Sequence, residues 1–261
     1  MANPPRTRRG LPAPNTVVTE IPFIPGGRRP GARRTLAAPG APPAYRILRT
    51  TQVDPYDAPV SRQTVAAVRA AAAAPGDGFR GKSRKAAKLS IVAGKPDEFD
   101  DLKKLIRDLP DDADMADHDP PITTKPASVR VAEEKRNVRV DAFLYAASRE
   151  DDNDFHLIIG RNPKRSPSMY MTVELSGLPP KSSKHFKRLS KTRGAYKTFF
   201  ADNMPGTTYD FYDPPVPVTV EGSLFFDISH AHGPKPGPGS LRKDIPTIWE
   251  IHPISKIEFE P

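Results

Sequence analysis

Five segments in the second half of the chain alternate apolar and polar residues as β-strands do. They are rich in Val, Ile, Phe and Tyr, and turn residues separate them. The segments are residues 136–148, 153–160, 168–177, 216–229 and 247–260. Between the third and the fourth, residues 182–203 place apolar side chains at helical spacing, although Gly194 weakens the middle of that helix. The pattern therefore predicts the order β-β-β-α-β-β.

This order resembles the OB-fold, a small Greek-key barrel of five strands with a helix between strands three and four. The resemblance covers residues 135–261, so we expect a mainly β fold with some α structure, built around an OB-like β-barrel. OB-folds commonly bind oligonucleotides or sugars, and the resemblance implies a binding module of that kind.

Two short motifs resemble a second group of proteins. Residues 152–157 form an acidic turn followed by Asp-x-His-Leu, and residues 250–253 read Glu-Ile-His-Pro. A group of bacterial proteins without an assigned activity pairs an Asp-x-His-Leu strand with a late Glu-Leu/Ile-His-Pro strand in the same way. This resemblance supports the fold and implies no particular function.

The first half of the chain has a weaker pattern. Residues 1–43 are rich in Pro, Gly and Arg and cannot bury enough apolar surface to offset chain entropy, so we expect a disordered basic tail. Residues 44–120 are expected to form a loosely packed, mostly helical region. Its predicted elements are a strand within 45–53, helices at 61–75 and 97–109, and an acidic linker at 110–121.

Composition narrows the chemistry that the chain can perform. The formal charge is +9, and residues 1–50 hold nine Arg against one Glu, so the excess positive charge belongs mostly to the tail. The absence of cysteine excludes disulfides and thiolate ligands. No Gly-x-Ser-x-Gly or His-Glu-x-x-His motif is present, which argues against the corresponding hydrolase families. No secretory or membrane segment is visible, so we expect a cytoplasmic protein.

Strand alternation places acidic and imidazole side chains on one face of the predicted sheet. Asp154 and His156 share that face in the second strand, Glu174 in the third, and Glu250 and His252 in the fifth. The opposite face is apolar and should form the core. The polar face is therefore expected to lie outside the barrel, and to be half-exposed.

A metal hypothesis follows from the expected pairing of two strands. If the turn is centred near Lys164, Asp154 lies across from Glu174, and two opposed carboxylates repel one another unless a cation or a proton intervenes. Histidine and carboxylate ligands without thiolate suit Zn²⁺, Mn²⁺ or a similar divalent ion. The alternative is an ordinary polar outer face without a bound ion.

Basic side chains gather in two other places. The predicted helix contributes Lys184, Lys187, Arg188, Lys191 and Arg193, and the connection 229–246 contributes His230, His232, Lys235, Arg242 and Lys243. Such groups can hold nucleic-acid phosphates, and Tyr170 on the polar face offers a ring for stacking a base. The acidic loop 149–153 opposes this, because it repels phosphate unless a divalent ion intervenes.

Three functions stay open at this point. The first is a binding module for nucleic acid or another phosphate-bearing ligand. The second is a divalent-metal-dependent phosphodiesterase or related hydrolase, with ligands among His156, Glu174, Glu250 and His252 and a metal-bound water as nucleophile. The third is a protein-interaction scaffold that uses the tail and the acidic linker.

Overall fold

The structure is a computed structural model, and it describes residues 10–26, 45–54 and 76–260. Within these residues the fold is mainly β, with a few helices. The strands are β1 (Val17–Phe23), β2 (Tyr45–Thr50), β3 (Asp97–Phe99), β4 (Asn137–Arg149), β5 (Phe155–Gly160), β6 (Tyr170–Leu175), β7 (Asp210–Phe226) and β8 (Trp249–Phe259). The α-helices are α1 (Lys85–Lys88), α2 (Leu102–Asp108), α3 (Asp112–Ala116) and α4 (Phe186–Phe200).

The eight strands form one mixed sheet that closes on itself in part. The order is β1-β2-β7-β8-β6-β5-β4-β3, and the long strand β7 also pairs with β4. The pairings of β3 with β4 and of β6 with β8 are parallel, and the others are antiparallel. The five strands predicted from the alternating pattern are confirmed, and so is the helix between the third and the fourth.

The face predicted to be apolar does form the main core. Leu157 on β5, Val173 on β6 and Ile251 on β8 are fully buried in it. Helix α4 packs Tyr196 and Phe200 against the same core. Each such side chain contributes about 1.5–3 kcal/mol by leaving water, so this face supplies most of the drive to fold.

The prediction that the tail contributes nothing to the fold was wrong in part. The tail was expected to contribute no fold, yet β1 lies within it and pairs with β2 in an antiparallel ladder. Phe23 explains the ladder's position, because this ring is buried and stacks on Phe200 with centroids 5.2 Å apart. The predicted strand at 45–53 is confirmed by β2. The predicted helix at 61–75 lies outside the described residues.

The predicted helix at 97–109 is shorter than expected. Residues 97–99 form β3 beside β4, and α2 begins only after Asp101. The Asp101 carboxylate accepts a hydrogen bond from the backbone N–H of Lys103 at 2.9 Å, which is an N-cap and fixes the start of the helix.

The stretch expected to be an acidic linker is instead folded against the sheet. It contains α3, whose Met115 is buried. Asp112 accepts hydrogen bonds from the Thr247 hydroxyl and the Ile248 N–H, and Trp249 donates its indole N–H to Pro110. Acidic residues of 110–121 therefore serve as helix caps and hydrogen-bond acceptors. This stretch is packed against the sheet and is not a loose linker.

Two buried arginines attach residues 76–135 to the sheet. Arg84 forms a two-pronged ion pair with Glu134, with both contacts at 2.7 Å, and it also donates to the carbonyl of Phe226 on β7. Arg130 donates to the carbonyls of Leu224 on β7 and His252 on β8. These contacts attach the segment to β7 and β8.

Within the described residues, none of the helices has the length and apolar character that crossing a bilayer requires.

Candidate metal centre

The acidic and imidazole residues singled out by strand alternation do come together, but they are buried. Asp154, His156, Glu174, Glu250 and His252 are each 2% exposed or less. The prediction that they share a face is confirmed. The prediction that this face lies half-exposed on the outside was wrong.

The burial has an identifiable cause in the chain. The connection 228–245 folds over the polar face, where Leu241 and Ile245 pack on Ile158 of β5. Residue 54 joins the same cover, because Asp54 accepts hydrogen bonds from the Gly237 N–H at 2.5 Å and the Tyr209 hydroxyl at 3.1 Å. The polar face, which was expected to be an outer surface, is therefore buried beneath this cover.

Strand register decides which groups meet. His156 on β5 lies directly opposite Glu174 on β6, so the expected pairing of Asp154 with Glu174 was wrong. The difference is a register shift that leaves each side chain on its predicted face. His156 Nδ1 lies 2.5 Å from Glu150 Oε1 and 3.6 Å from Glu174 Oε1. Burial lowers the pKa of His156, but Glu150 and its other acidic neighbours outweigh burial and raise it well above the ordinary value.

His252 lies at the centre of the second group. Its Nδ1 is 2.8 Å from Glu174 Oε2, and its Nε2 is 3.3 Å from Asp154 Oδ2. These contacts are close but poorly aligned, and neither ring nitrogen of His252 makes a hydrogen bond of normal geometry with the described residues. Asp154 is held in place by its other oxygen, which accepts the Gly177 N–H at 2.5 Å.

Glu250 is the least satisfied side chain of the site. Neither of its carboxylate oxygens accepts a hydrogen bond of normal geometry from the described part of the chain, and the residue is fully buried. The nearest cationic group is His252 Nδ1, 3.6 Å from Glu250 Oε2. Burial, with added repulsion from Glu174, raises the pKa of Glu250 to about 7. A buried carboxylate in this condition needs a proton or a cation.

A third pair joins the site from the cover. Asp227 follows β7, and His230 lies one turn further along, with its Nε2 3.2 Å from Asp227 Oδ2. Burial alone would raise the pKa of Asp227, but the imidazole of His230 outweighs it and lowers the pKa to about 2. His230 therefore serves as an ionic partner inside the molecule, whereas the sequence suggested a phosphate contact.

These residues form what we call the acid–histidine cluster. Its members are Glu150, Asp154, His156, Glu174, Asp227, His230, Glu250 and His252. They fall into three groups, and within each group one ligand atom per residue lies within 4.8 Å of the others. The groups are Glu150–His156–Glu174, Asp154–Glu174–His252 and Asp227–His230–Glu250.

The atom spacings suit a bound metal ion. Nitrogen and oxygen ligands lie about 2.1 Å from Zn²⁺, so two of them on a tetrahedral ion are separated by about 3.4 Å. His252 Nδ1 lies 2.8 Å from Glu174 Oε2 and 3.6 Å from Glu250 Oε2, and His156 Nδ1 lies 3.6 Å from Glu174 Oε1, so these separations bracket this value. The donors are carboxylate oxygens and imidazole nitrogens, which Zn²⁺ and Mn²⁺ both accept.

Two members of the neighbourhood were not identified from the sequence. Glu150 was noted only as part of an acidic loop, and Lys88 was not noted at all. The Lys88 ammonium is buried 3.8 Å from Glu174 Oε2 and 3.6 Å from Asp152 Oδ2. Burial lowers the pKa of Lys88, but the surrounding carboxylates outweigh burial and raise it well above the ordinary value. Its short helix α1 has no periodic pattern that would indicate this position.

Only some of the residues expected to bind phosphate are exposed. Two predicted ligand residues are structural, because Tyr170 is buried and Arg193 is buried and bonded to backbone carbonyls. In the connection, Arg242 donates to the Gly237 carbonyl and Lys235 contacts Asp112. The exposed residues of the set are Lys184, Lys187, Arg188, Lys191, His232 and Lys243.

The basic helix and the connection do not line one groove. Helix α4 packs on the main core through Phe200, whereas the connection packs on the second cluster of buried residues through Leu241. The exposed lysines of α4 instead border a groove of about 650 Å³ whose other wall is residues 255–258 of β8.

Comparison with known proteins gives no relative: no family model, no curated protein and no solved structure matches this chain. The function must therefore be argued from the site itself.

Proposed function

We propose that this chain is a divalent-cation-binding module, in which the ion is held in the acid–histidine cluster between the outer face of an OB-like ring (β4, β5, β6, β8 and β7) and the connection that covers this face. The parallel pairing of β6 with β8 and the second pairing of β7 with β4 support the OB-like description. The observation that carries the proposal is Glu250, a fully buried carboxylate that has no normal hydrogen bond among the described residues, beside the imidazole of His252, whose two nitrogens also lack one there.

Protons offer the competing explanation for these groups. A protonated His252 could bridge Asp154 and Glu174, and Glu250 could remain as the neutral acid. Among the described residues, that arrangement leaves the imidazole contacts misaligned and the Glu250 oxygens without donors, at a cost of about 1–3 kcal/mol for each unsatisfied group. A divalent ion on the Nδ1 side of His252 would accept lone pairs from that nitrogen and from the neighbouring oxygens of Glu174 and Glu250.

Burial favours binding over hydrolysis. A metal-dependent phosphodiesterase must let its substrate reach the ion. His156, Glu174, Glu250 and His252 are at most 2% exposed, so among the described residues the cover separates them from solvent. An enclosed site would hold an ion tightly. It therefore supports a cation-binding module over a metal-dependent hydrolase.

Metal analysis of the full chain tests the proposal. The protein is stripped with chelator, loaded with Zn²⁺ or Mn²⁺, desalted, and its metal content measured by mass spectrometry. We expect stoichiometric metal in the wild type and in His232→Ala, whose imidazole is exposed. We expect a lower metal content in His252→Ala than in the wild type. A metal-free wild type, or equal loss in both variants, would overturn the proposal.

The exposed face of α4 supports a second candidate function, binding of a nucleic-acid backbone. Lys187 and Lys191 project from successive turns of α4, Lys184 lies just before the helix, and all three border the groove described above. Arg188 is partly occupied, since it donates to Glu221 and to the Ser255 carbonyl. Three neighbouring lysines can each neutralise a phosphate, which makes affinity depend steeply on salt.

Anisotropy titrations with single-stranded and duplex DNA and RNA test this second candidate. The triple variant Lys184→Ala, Lys187→Ala, Lys191→Ala should weaken binding and reduce the salt dependence. A control triple, Lys95→Ala, Lys125→Ala, Lys135→Ala, removes the same charge from other exposed positions and should retain the slope. If the two triples behave alike, α4 is not the binding surface.

A further inference from the structure

We infer that the centre is dinuclear, with Glu174 bridging two divalent ions. The inference rests on the proposed cation-binding function and specifies its stoichiometry. Glu174 is the only residue shared by two of the three ligand groups found among the described residues. It is 2% exposed and lies near the end of β6, a strand that pairs with β5 on one side and with β8 on the other.

The two oxygens of Glu174 point to different histidines. Oε1 lies 3.6 Å from His156 Nδ1, and Oε2 lies 2.8 Å from His252 Nδ1. A carboxylate that offers one oxygen to each of two ligand groups has the arrangement of a bridging ligand. Carboxylate-bridged ions in two-metal sites lie about 3.5–4 Å apart, within the reach of one such side chain.

Each half of the site has its own terminal ligands. The first ion would be held by Glu150, His156 and Glu174 Oε1, and the second by Asp154, His252 and Glu174 Oε2. Glu250 Oε2, 3.6 Å from His252 Nδ1, also faces the second ion. In the second half, Asp154 Oδ2, Glu174 Oε2 and His252 Nδ1 lack normal hydrogen bonds among the described residues, so a metal would satisfy buried donor atoms. In the first half, a metal would take the place of the proton shared by His156 Nδ1 and Glu150 Oε1.

The bridge predicts a distinctive magnetic signal. Chelator-treated full-length protein is loaded with Mn²⁺ and desalted, the metal is counted by mass spectrometry, and the sample is examined by electron paramagnetic resonance. We expect about two Mn²⁺ per chain and the spectrum of an exchange-coupled pair. Two ions with an uncoupled spectrum would exclude the bridge, and one ion per chain would exclude the dinuclear centre while the metal-binding function stands. No bound ion would overturn both.

Variants separate the two halves. His156→Ala and His252→Ala should each retain about one Mn²⁺ and lose the coupled signal, and Glu174→Gln should lose the coupled signal as well. His232→Ala is the matched control and should keep both ions and the coupling. Circular dichroism establishes that each variant is folded. If a histidine variant does not fold, the wild-type count and spectrum still decide the inference. Full retention of two coupled ions in His156→Ala would contradict the ligand assignment.

Discussion

Asp100 and Asp101 are neighbours in the chain, but only Asp101 is buried. Comparing them shows how burial changes what a carboxylate contributes to stability. Asp101 is 7% exposed, caps α2, and accepts hydrogen bonds from Arg161 at 2.8 Å and from Arg165 at 2.6 Å. Asp100 pairs only with Lys104 at the surface. The hydrogen bonds from Arg161 outweigh burial and hold the pKa of Asp101 well below its ordinary value.

Replacing Asp101 with Asn should therefore destabilise the protein in a pH-dependent way. Asn keeps the helix cap but loses the ionic contacts, so we expect a loss of about 1–3 kcal/mol at pH 7. Because the folded pKa is depressed, the stabilisation is complete above the unfolded pKa of about 3.9 and is lost as the pH falls toward the folded value. Urea unfolding at pH 7 and pH 3 should show the difference between wild type and variant shrinking in acid.

The control for this measurement is Asp100→Asn, which should leave the unfolding midpoint nearly unchanged at both pH values because the pair with Lys104 is exposed. A difference for Asp101→Asn that is equally large at pH 3 and pH 7 would mean that the ionised carboxylate is not the source of the stability.

At the scale of elements, α4 has two faces with different tasks. Its buried face carries Arg193, which donates to the carbonyls of Leu175 and Asn153 and lies 4.3 Å from the centroid of the Phe155 ring. Its exposed face carries the lysines that border the groove. One run of basic residues in the sequence thus contains a structural anchor and a set of solvent-exposed charges.

We expect Arg193→Lys to lower stability without removing any charge from the helix. Lysine cannot reproduce the planar fork that reaches several carbonyls, so about 1–3 kcal/mol should be lost. Lys187→Ala, on the exposed face, should change stability little. Thermal and urea unfolding of both variants test this. Wild-type stability in Arg193→Lys would show that the carbonyl contacts are not needed to attach α4.

The part of the site that could be predicted from the sequence is the part that lies on strands, where alternation decides which face each side chain occupies. Alternation assigned Leu157 to the core and His156 to the other face, and this held even though the register of β5 on β6 differed from the expected one, because the difference preserved parity. The cover could not be predicted in the same way. The connection 228–245 has no periodic pattern, and its position depends on contacts such as Gly237 with Asp54 that join residues far apart in the chain.

For the molecule as a whole, the acid–histidine cluster is expected to reduce the stability of the metal-free protein. Five carboxylates and three histidines occupy an interior that apolar residues could fill. Buried ionic groups recover their desolvation cost only when every partner is in place. A metal ion that binds the folded state alone stabilises it by mass action, by about 2.7 kcal/mol when the free ion is at one hundred times its Kd.

Glu250→Gln should consequently raise the stability of the metal-free protein and diminish its response to metal. In chelator at pH 8 the variant no longer buries an unpaired carboxylate, so we expect it to be about 1–3 kcal/mol more stable than the wild type. On addition of Mn²⁺ the wild type should gain more melting temperature than the variant, because Glu250 Oε2 lies beside His252 and amide oxygen is a poorer ligand than carboxylate. Calorimetry with and without metal measures both effects. Glu98→Gln, at an exposed position of β3, should match the wild type in both conditions. A Glu250→Gln variant that is less stable without metal would indicate that this carboxylate is satisfied within the folded chain and is not reserved for a cation.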